Sequence, residues 1–204
     1  MGTRERRDRE KQQRREAILD AARRLFWERG YERATMPQIA ETAELAPGTL
    51  YLYFQNKQAL YAELLIEGYE RLAEHLRQAI QGDASPRQQA DALVDAFLGF
   101  AREHPEYFDI IFFVVQREGR ALAELALDAE QRNALSVAEG ACRRVATEVL
   151  ERAGVPGEAA PSRVQAVWSM LAGVVLYFVR DDAATFSAVA SEAKGLILRG
   201  AFKL

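Results

Sequence analysis

The 204-residue chain contains one cysteine and two histidines. A single cysteine, Cys142, cannot form an intramolecular disulfide, so a disulfide-stabilised scaffold is excluded and a reducing compartment such as the cytoplasm is expected. We interpret Cys142 as a small core residue, with redox sensing as the alternative. His75 and His104 fall in different predicted helices and lack the Cys or carboxylate spacing of a metal site, so the sequence predicts neither a metal nor a cofactor.

Long apolar segments and enzyme motifs are also missing. Purely apolar runs such as residues 171–179 are too short to span a bilayer. The polar first residues give no sign of a secretory signal. No phosphate-binding glycine loop, nucleophile elbow or metal-ligand spacing occurs. We therefore expect a cytoplasmic protein that is not an enzyme and does not enter a membrane.

Charge is distributed unevenly along the chain. The formal net charge is −3, which alone would argue against a nucleic-acid partner. Residues 1–57, however, carry 12 Lys/Arg and 9 Asp/Glu, whereas residues 58–204 carry 15 and 21. A basic segment in an acidic protein is the electrostatic pattern of a nucleic-acid reader. We predict a DNA-binding domain over 1–57 and a second domain over 58–204.

The stretch from Thr35 to Lys57 predicts two short helices joined by a turn. Thr35 and Gln38 have the spacing of a capping box, in which each side chain hydrogen-bonds the backbone of the other residue. Pro47 is suited to the first turn of the next helix. Two short helices across a tight turn match the helix-turn-helix, whose second helix enters the DNA major groove.

Residues of this stretch are the candidate DNA contacts. Gly48 permits close approach of the backbone, and hydroxyl and amino groups can meet phosphates or base edges. The predicted phosphate contacts are Thr35, Thr49, Tyr53 and Lys57. The predicted contacts for base readout or close approach to the groove are Gln38, Pro47, Gly48 and Tyr51. Tyr51 has an alternative role in packing within the motif.

The segment 15–65 resembles the DNA-binding domain of the TetR family of bacterial transcription regulators. The matching residues are Ala21, Ala22, Leu25, Phe26, Gly30, Thr35, Ile39, Ala40, Ala43, Gly48, Thr49, Leu50, Tyr51, Tyr53, Phe54, Lys57 and Leu60. The resemblance implies an all-α homodimer, a double-stranded DNA operator and a small-molecule pocket in the C-terminal domain.

Two positions depart from the pattern of the family. Glu44 stands where a turn glycine is common, and a positive φ at this residue would cost roughly 1 kcal/mol. Ala46 stands where a capping serine is common, and the lost cap is typically worth about 1 kcal/mol.

The pattern over the whole chain predicts an all-α fold with about nine helices. The first predicted helix covers residues 15–29, preceded by a charged segment, 1–13, that is either a disordered tail or an arm that gains order on DNA. The fourth begins near Lys57 and continues to about Ile80, so that it belongs to both domains.

Aromatic and branched residues of the fifth to eighth predicted helices are candidates for a ligand cavity. They are Phe97, Phe100, Tyr107, Ile111, Phe112, Val115 and Trp168, and the alternative for each is ordinary core packing. Asp109 interrupts the apolar segment 106–118. It either points to solvent in a first helical turn or receives a cationic group of a ligand.

The last two predicted helices, 162–179 and 186–202, have more apolar residues than one neighbouring helix can cover. The family resemblance implies that they form a two-fold, four-helix interface, and the alternative is that both lie in the core of one protomer. The candidate interface residues are Val167, Leu171, Val175, Phe178, Leu196 and Gly200.

These features favour a ligand-responsive DNA-binding regulator. We expect a repressor that leaves a near-palindromic operator when a lipophilic effector binds the C-terminal domain. A ligand-independent or architectural DNA-binding protein is the first alternative, and an enzyme using the C-terminal pocket is the second.

Overall fold

The computed structural model describes residues 3–112, 127–178 and 182–201, and the regular structure in these ranges is entirely helical. The nine helices of the described ranges are α1 (Thr3–Arg29), α2 (Met36–Thr42), α3 (Pro47–Tyr51), α4 (Lys57–Ala79), α5 (Pro86–Glu103), α6 (Pro105–Phe112), α7 (Ala129–Arg152), α8 (Ala160–Phe178) and α9 (Ala183–Ala201). The predicted all-α class is confirmed. No helix in the described ranges is long and apolar enough to cross a bilayer.

The chain divides into two compact units. The first unit comprises residues 1–68 and 106–135, and the second comprises residues 69–105 and 136–204. Helix α4 is continuous across residue 68 and contributes to both units. The sequence instead predicts a division at residue 57, between a DNA-binding domain and a second domain. That division by function stays a prediction.

The first unit is built on the apolar stripe of α1. Ile18, Ala22 and Phe26 are fully or almost fully buried, as their helical spacing predicts. The rings of Phe26, Tyr31 and Tyr61 pack with centroids 5.2–6.3 Å apart. This cluster joins α1, the segment before α2, and α4.

Helix α1 begins at Thr3, so the prediction that it begins near residue 15 was wrong. Residues 4–14 are all exposed and contain no apolar stripe, which is why the pattern did not predict a helix there. Arg, Lys, Glu and Gln are nevertheless good helix formers, and they extend a helix that packing has already nucleated. The Arg6–Glu10 ion pair (3.4 Å) and the Gln12–Glu16 hydrogen bond (2.9 Å) add support.

Helix α6 lies in the first unit. Tyr61 donates a hydrogen bond to the Ile110 carbonyl (2.6 Å), which ties α4 to α6. Four consecutive residues from Tyr107 to Ile110 are buried, so this helix has protein around it. Asp109 is only 5% exposed, and the interpretation that it points to solvent was wrong because no face of α6 remains open there. The rest of the predicted helix, residues 113–118, lies outside the described residues.

The second unit packs α5, α7, α8 and α9 around apolar side chains. Lys194 of α9 bridges Asp91 (2.8 Å) and Asp95 (2.7 Å) of α5. Cys142 is fully buried, and its thiol donates to the Tyr69 carbonyl (3.0 Å), as the core interpretation predicts. His75 and His104 flank the Phe100 ring at 5.8 and 5.2 Å.

Candidate DNA-binding surface and ligand cavity

Helix α2 begins with the predicted capping box. The Thr35 amide donates to Gln38 Oε1 (3.0 Å), and the Gln38 amide donates to Thr35 Oγ1 (3.4 Å). Two of the amide donors at this helix start are therefore satisfied without solvent. The Gln38 side-chain oxygen is engaged in the cap, so its Nε2 is the atom available for a base edge.

The turn between α2 and α3 contains a strained residue. Glu44 has a φ of +56°, the left-handed conformation that favours glycine. The Leu45 amide donates to the Ala40 carbonyl (2.8 Å) and the Glu44 amide to the Glu41 carbonyl (3.0 Å). These are the two bonds of a Schellman motif, which closes α2. Glu44 therefore adopts the positive φ whose cost the sequence analysis considered.

Helix α3 presents one buried side and one open side. Leu50 is fully buried and anchors the helix, whereas Ala46 at its N-cap makes no side-chain capping bond, as predicted. Apart from the adjacent residues and the backbone of α3 itself, no heavy atom of the described residues lies within 4 Å of the Cβ position that a side chain would have at Gly48. Tyr51 is exposed beside Leu52, which is 84% exposed and was missed by the sequence analysis. If α3 enters the major groove, as predicted, an apolar side chain this open at its end can meet a thymine methyl group.

Lys57 has a role that the sequence did not indicate. Its ammonium donates to the carbonyls of Tyr31 (2.7 Å), Glu32 (3.3 Å) and Ala34 (3.1 Å), and it lies 4.2 Å from the centroid of the Tyr31 ring. The three N–H groups of an ammonium match three acceptors. The side chain thus ties the start of α4 to the segment between α1 and α2. This geometry favours a structural role, and contact with phosphate stays a prediction.

The remaining predicted DNA contacts all belong to the first unit. Four of them are exposed, namely Thr35, Pro47, Gly48 and Tyr51. The other three are partly buried, namely Gln38, Thr49 and Tyr53. Their role in DNA binding stays a prediction.

The second unit contains a small apolar cavity of about 20 Å³. Its lining contains Phe97 and Trp168, as predicted, and their ring centroids are 6.1 Å apart. Eight further residues complete the wall, namely Leu76, Leu93, Val94, Ala146, Leu150, Val164, Val167 and Leu171. All ten residues are apolar or aromatic, and the indole N–H of Trp168 is the one polar side-chain group among them.

Four other predicted ligand residues do not line this cavity. Phe100 belongs to the second unit but contacts the two histidines. Tyr107, Ile111 and Phe112 belong to the first unit, where Ile111 and Tyr107 pack against Gly68 of α4. Val115 lies outside the described residues. Contact of these residues with a ligand stays a prediction.

Tyr107 instead belongs to a polar network within the first unit. Its hydroxyl donates to Glu67 of α4 (2.6 Å) and accepts a hydrogen bond from Arg23 of α1. The Arg23 guanidinium also stacks on the Tyr107 ring at 4.6 Å and pairs with Asp20 (2.7 Å). The network fixes α6 against α1 and α4.

Three of the six candidate dimer residues lie on the face of α8 that is buried within the protomer. Val167, Leu171 and Val175 are buried in the protomer, and the first two line the apolar cavity. A side chain enclosed by its own protomer cannot contact a second copy. Phe178, Leu196 and Gly200 are partly or fully exposed, and Leu196 is 64% exposed. The other large apolar residues exposed on α8 are Met170, Leu176 and Tyr177.

Within the described ranges, no group of three His, Cys, Asp or Glu side chains is placed to hold a metal ion.

Two family sequence models match the chain. Residues 18–64 match the model described as bacterial regulatory proteins of the tetR family. Residues 90–191, half of the chain, match the C-terminal domain model described as tetracyclin repressor-like. The first match covers α2 and α3, and the second covers the residues between α5 and α9.

Individual proteins agree with these matches. The transcriptional activator FasR of Mycolicibacterium smegmatis is 32% identical over 120 residues, covering 57% of this chain and 55% of FasR. The chain therefore matches only about half the length of this relative. A tetR-family regulatory protein from Rhodococcus RHA1 has a similar structure (TM-score 0.73, 18% identity, 91% of this chain and 95% of that chain). FadR of Bacillus subtilis, solved in complex with stearoyl-CoA, is also similar (TM-score 0.69, 18% identity, 90% and 97%).

Proposed function

Since the chain belongs to the TetR family, we propose that it is a DNA-binding transcriptional regulator that acts as a homodimer on a near-palindromic operator. The observation that carries this proposal is the surface around α3. Here a buried Leu50 holds the helix in place while Gly48, Tyr51 and Leu52 face outward. Such a helix can enter the major groove, where each base pair presents a distinct pattern of donors and acceptors.

A dimer is needed because one motif reads only one half-site. Two-fold related recognition helices bind half-sites about 34–36 Å apart, one turn of DNA. The exposed apolar residues of α8 and α9, among them Tyr177 and Leu196, support an interface on this face of the second unit. Large exposed apolar side chains on neighbouring helices are typical of a surface that a partner covers.

A variant pair tests this interface. We expect Leu196→Glu to give a monomer by light scattering and to weaken operator binding by at least about 10²-fold, because one half-site is lost. Val137→Glu in α7 is the matched control, since Val137 is 59% exposed and the substitution is equally polar. A dimeric Leu196→Glu protein, or equal effects of both variants, would rule out this face.

The effector that we propose is lipophilic, with a long acyl chain as the candidate class. Support comes from the ten apolar side chains of the cavity and from the stearoyl-CoA complex of a protein with the same fold. A cavity of about 20 Å³ holds only about one water molecule. An acyl chain must therefore spread the helices of the second unit to enter.

This spreading provides a mechanism for a response to the effector. Leu76 of α4 lines the cavity, and the same helix begins at Lys57 beside the motif. We propose that the effector displaces α4 and moves the two motifs out of register with the operator. A near-complete switch requires the effector to favour the DNA-free conformation by about 5.5 kcal/mol.

The direction of control that we propose is repression, relieved by the effector. Activation is the second candidate, because the relative FasR is named an activator. Transcription in vitro from the bound promoter separates the two, since a repressor lowers and an activator raises the yield of transcript.

Fluorescence anisotropy with the purified protein tests the proposal. The duplex is selected from a random-sequence library by the protein itself, and a scrambled duplex of equal composition is the control. We expect at least about a 10³-fold preference for the selected duplex, with strong salt dependence. Stearoyl-CoA is then added to the complex, with free CoA as the control. Equal affinity for both duplexes would reject the regulator, and a complex insensitive to stearoyl-CoA would reject this effector class.

A further inference from the structure

The exposed first turns of α1 contain a row of cations. Arg4, Arg7, Lys11 and Arg14 follow one another at spacings of three, four and three residues, which places them on one face of the helix. The structure records no ion pair for these four side chains among the described residues. Asp8 and Glu10 border the row on its two sides, but Glu10 pairs with Arg6, so the four cations and Asp8 leave this face a net charge of +3. We call these four residues the basic row.

The opposite face of the same segment is electrically balanced. Arg6 pairs with Glu10 (3.4 Å), and two acidic side chains, Glu5 and Glu10, offset the two cations Arg6 and Arg9. The charge of this segment is therefore directional, although its composition alone shows only a mixture of both signs.

The basic row continues the inner face of α1. Lys11 and Arg14 precede the buried Ile18 by seven and four residues, and Arg7 precedes the buried Leu25 by 18, about five helical turns. The face that packs on the core in the second half of α1 is thus the face that is basic in the first half. It is therefore directed to the same side of α1 as the helix-turn-helix.

The basic row also ends next to the candidate reading surface. Arg15, which follows it directly, pairs with Glu63 of α4 (2.6 Å) and lies 5.4 Å from the centroid of the Phe54 ring. Phe54 follows Tyr53, a predicted phosphate contact. Residues 4–14 therefore leave the core of the first unit beside the junction of α3 and α4.

We propose that the basic row is a second DNA-binding surface, which binds the phosphate backbone flanking the half-site read by α3. From Arg4 to Arg14 the helix rises about 15 Å. A helix of this length that lies along the duplex axis spans about four base pairs, since the charges of one strand are spaced about 3.4 Å along that axis. The inference rests on the proposed function and adds to it a continuous helical contact that carries no sequence information of its own.

Two double variants of the full-length chain test the basic row. Arg7→Gln/Arg14→Gln removes two of its cations, and Arg6→Gln/Arg9→Gln removes two cations of the balanced face. Both variants change the net charge by the same amount at exposed positions, so both should keep the circular dichroism and Tm of the parent. Binding to the selected duplex is measured by anisotropy over a salt series.

The basic-row variant is expected to bind at least about tenfold more weakly at 0.1 M salt. The slope of log K against log salt should become less steep by about 3.6, because a dimer of the variant neutralises four fewer phosphates, two per protomer. The balanced-face variant should match the parent. Hydroxyl-radical footprinting should show that only the basic-row variant loses protection outside the half-sites, while the preference for the selected duplex persists.

The outcomes that overturn the inference differ from failure of the proposed function. Equal weakening by both double variants would indicate a general charge effect, and no weakening by either would show that the basic row does not bind DNA. In both cases the parent still prefers its selected duplex, so the proposed regulator stands. If the parent shows no preference between the duplexes, the regulator is rejected and the inference fails with it.

Discussion

In the first unit three backbone carbonyls converge on the ammonium of Lys57, whereas in the second unit ten apolar side chains surround a cavity. The first unit also has the α2 capping box and the Tyr107–Arg23–Glu67 network. The described cavity of the second unit has no polar lining residue. The surroundings of the motif are thus positioned by hydrogen bonds and the wall of the cavity by apolar packing, although the second unit also has the bridge from Lys194 to Asp91 and Asp95.

This difference corresponds to two different requirements. Hydrogen bonds depend steeply on distance and angle, so they hold a recognition surface in one geometry. Apolar contacts are non-directional, so apolar helices can move apart and repack around a guest with less penalty. A rigid reading surface and an adaptable effector site are what the proposed function requires.

Removal of the Lys57 ammonium should have the largest effect. We expect Lys57→Met to lower the free energy of unfolding by about 3 kcal/mol, because the carbonyls of Tyr31 and Ala34 lie in a buried environment and lose a charged donor. Urea denaturation followed by circular dichroism measures the change, with the exposed Lys11→Met as the control. An effect as small as that of the control would mean that water replaces the ammonium and that polar contacts do not position this unit.

Enlarging one buried alanine in each unit compares their packing directly. Ala40 of α2 is fully buried, and Ala146 of α7 lines the cavity. Both substitutions, Ala40→Val and Ala146→Val, place the same β-branched residue in a helix, so their propensity cost cancels. We expect Ala40→Val to be more destabilising by about 2 kcal/mol, since overpacking costs typically 1–3 kcal/mol and the cavity relieves it.

The same pair should also separate the functions of the units. Ala146→Val should reduce the response to stearoyl-CoA and leave DNA affinity unchanged, whereas Ala40→Val should reduce DNA affinity. Equal stability losses for the two variants would show that the second unit is packed as tightly as the first.

Ionisation of the buried Cys142 thiol should have the next largest effect on the free energy of unfolding. Burial raises the pKa of the Cys142 thiol to about 12, from an ordinary value near 9. Because the pKa is higher in the folded state, the contribution of the protonated thiol to the free energy of unfolding is complete below about pH 8.5. It is lost as the pH rises towards 12. From pH 9 to pH 10 the unfolded chain loses the proton and the folded chain keeps it. The free energy of unfolding should therefore fall by about 1 kcal/mol.

The thiol contribution is isolated by comparison with Cys142→Ala. Urea denaturation at both pH values gives the difference between parent and variant, in which the other titrating groups cancel. If this difference does not change with pH, the thiol is accessible to water, and the second unit opens more readily than its packing suggests.

Features of the fold that depend on neighbouring residues could be predicted from the sequence, and those that depend on distant contacts could not. The α2 capping box and the uncapped Ala46 follow from residues one to three positions apart. The hydrogen bonds of Lys57 join residues 23 to 26 positions apart. From the sequence, the positive charge of Lys57 indicated a contact with DNA phosphate and not these carbonyls. In α8 the buried Val167, Leu171 and Val175 and the exposed Met170 and Tyr177 are all apolar, so hydrophobicity alone could not decide which face meets the core.

The smallest expected effect concerns the strained turn of the first unit. Glu44→Gly should raise the free energy of unfolding by about 1 kcal/mol, because glycine adopts the positive φ of this position without steric cost. Glu41→Gly, three residues earlier in α2, should lower it by about 1 kcal/mol, since glycine is unfavourable within a helix. Glu44→Ala removes the same carboxylate but keeps the strain, and it should leave stability unchanged. Urea denaturation of the three variants thus separates strain from charge. If Glu44→Ala stabilises as much as Glu44→Gly, then repulsion by the carboxylate, rather than backbone conformation, is what weakens this turn.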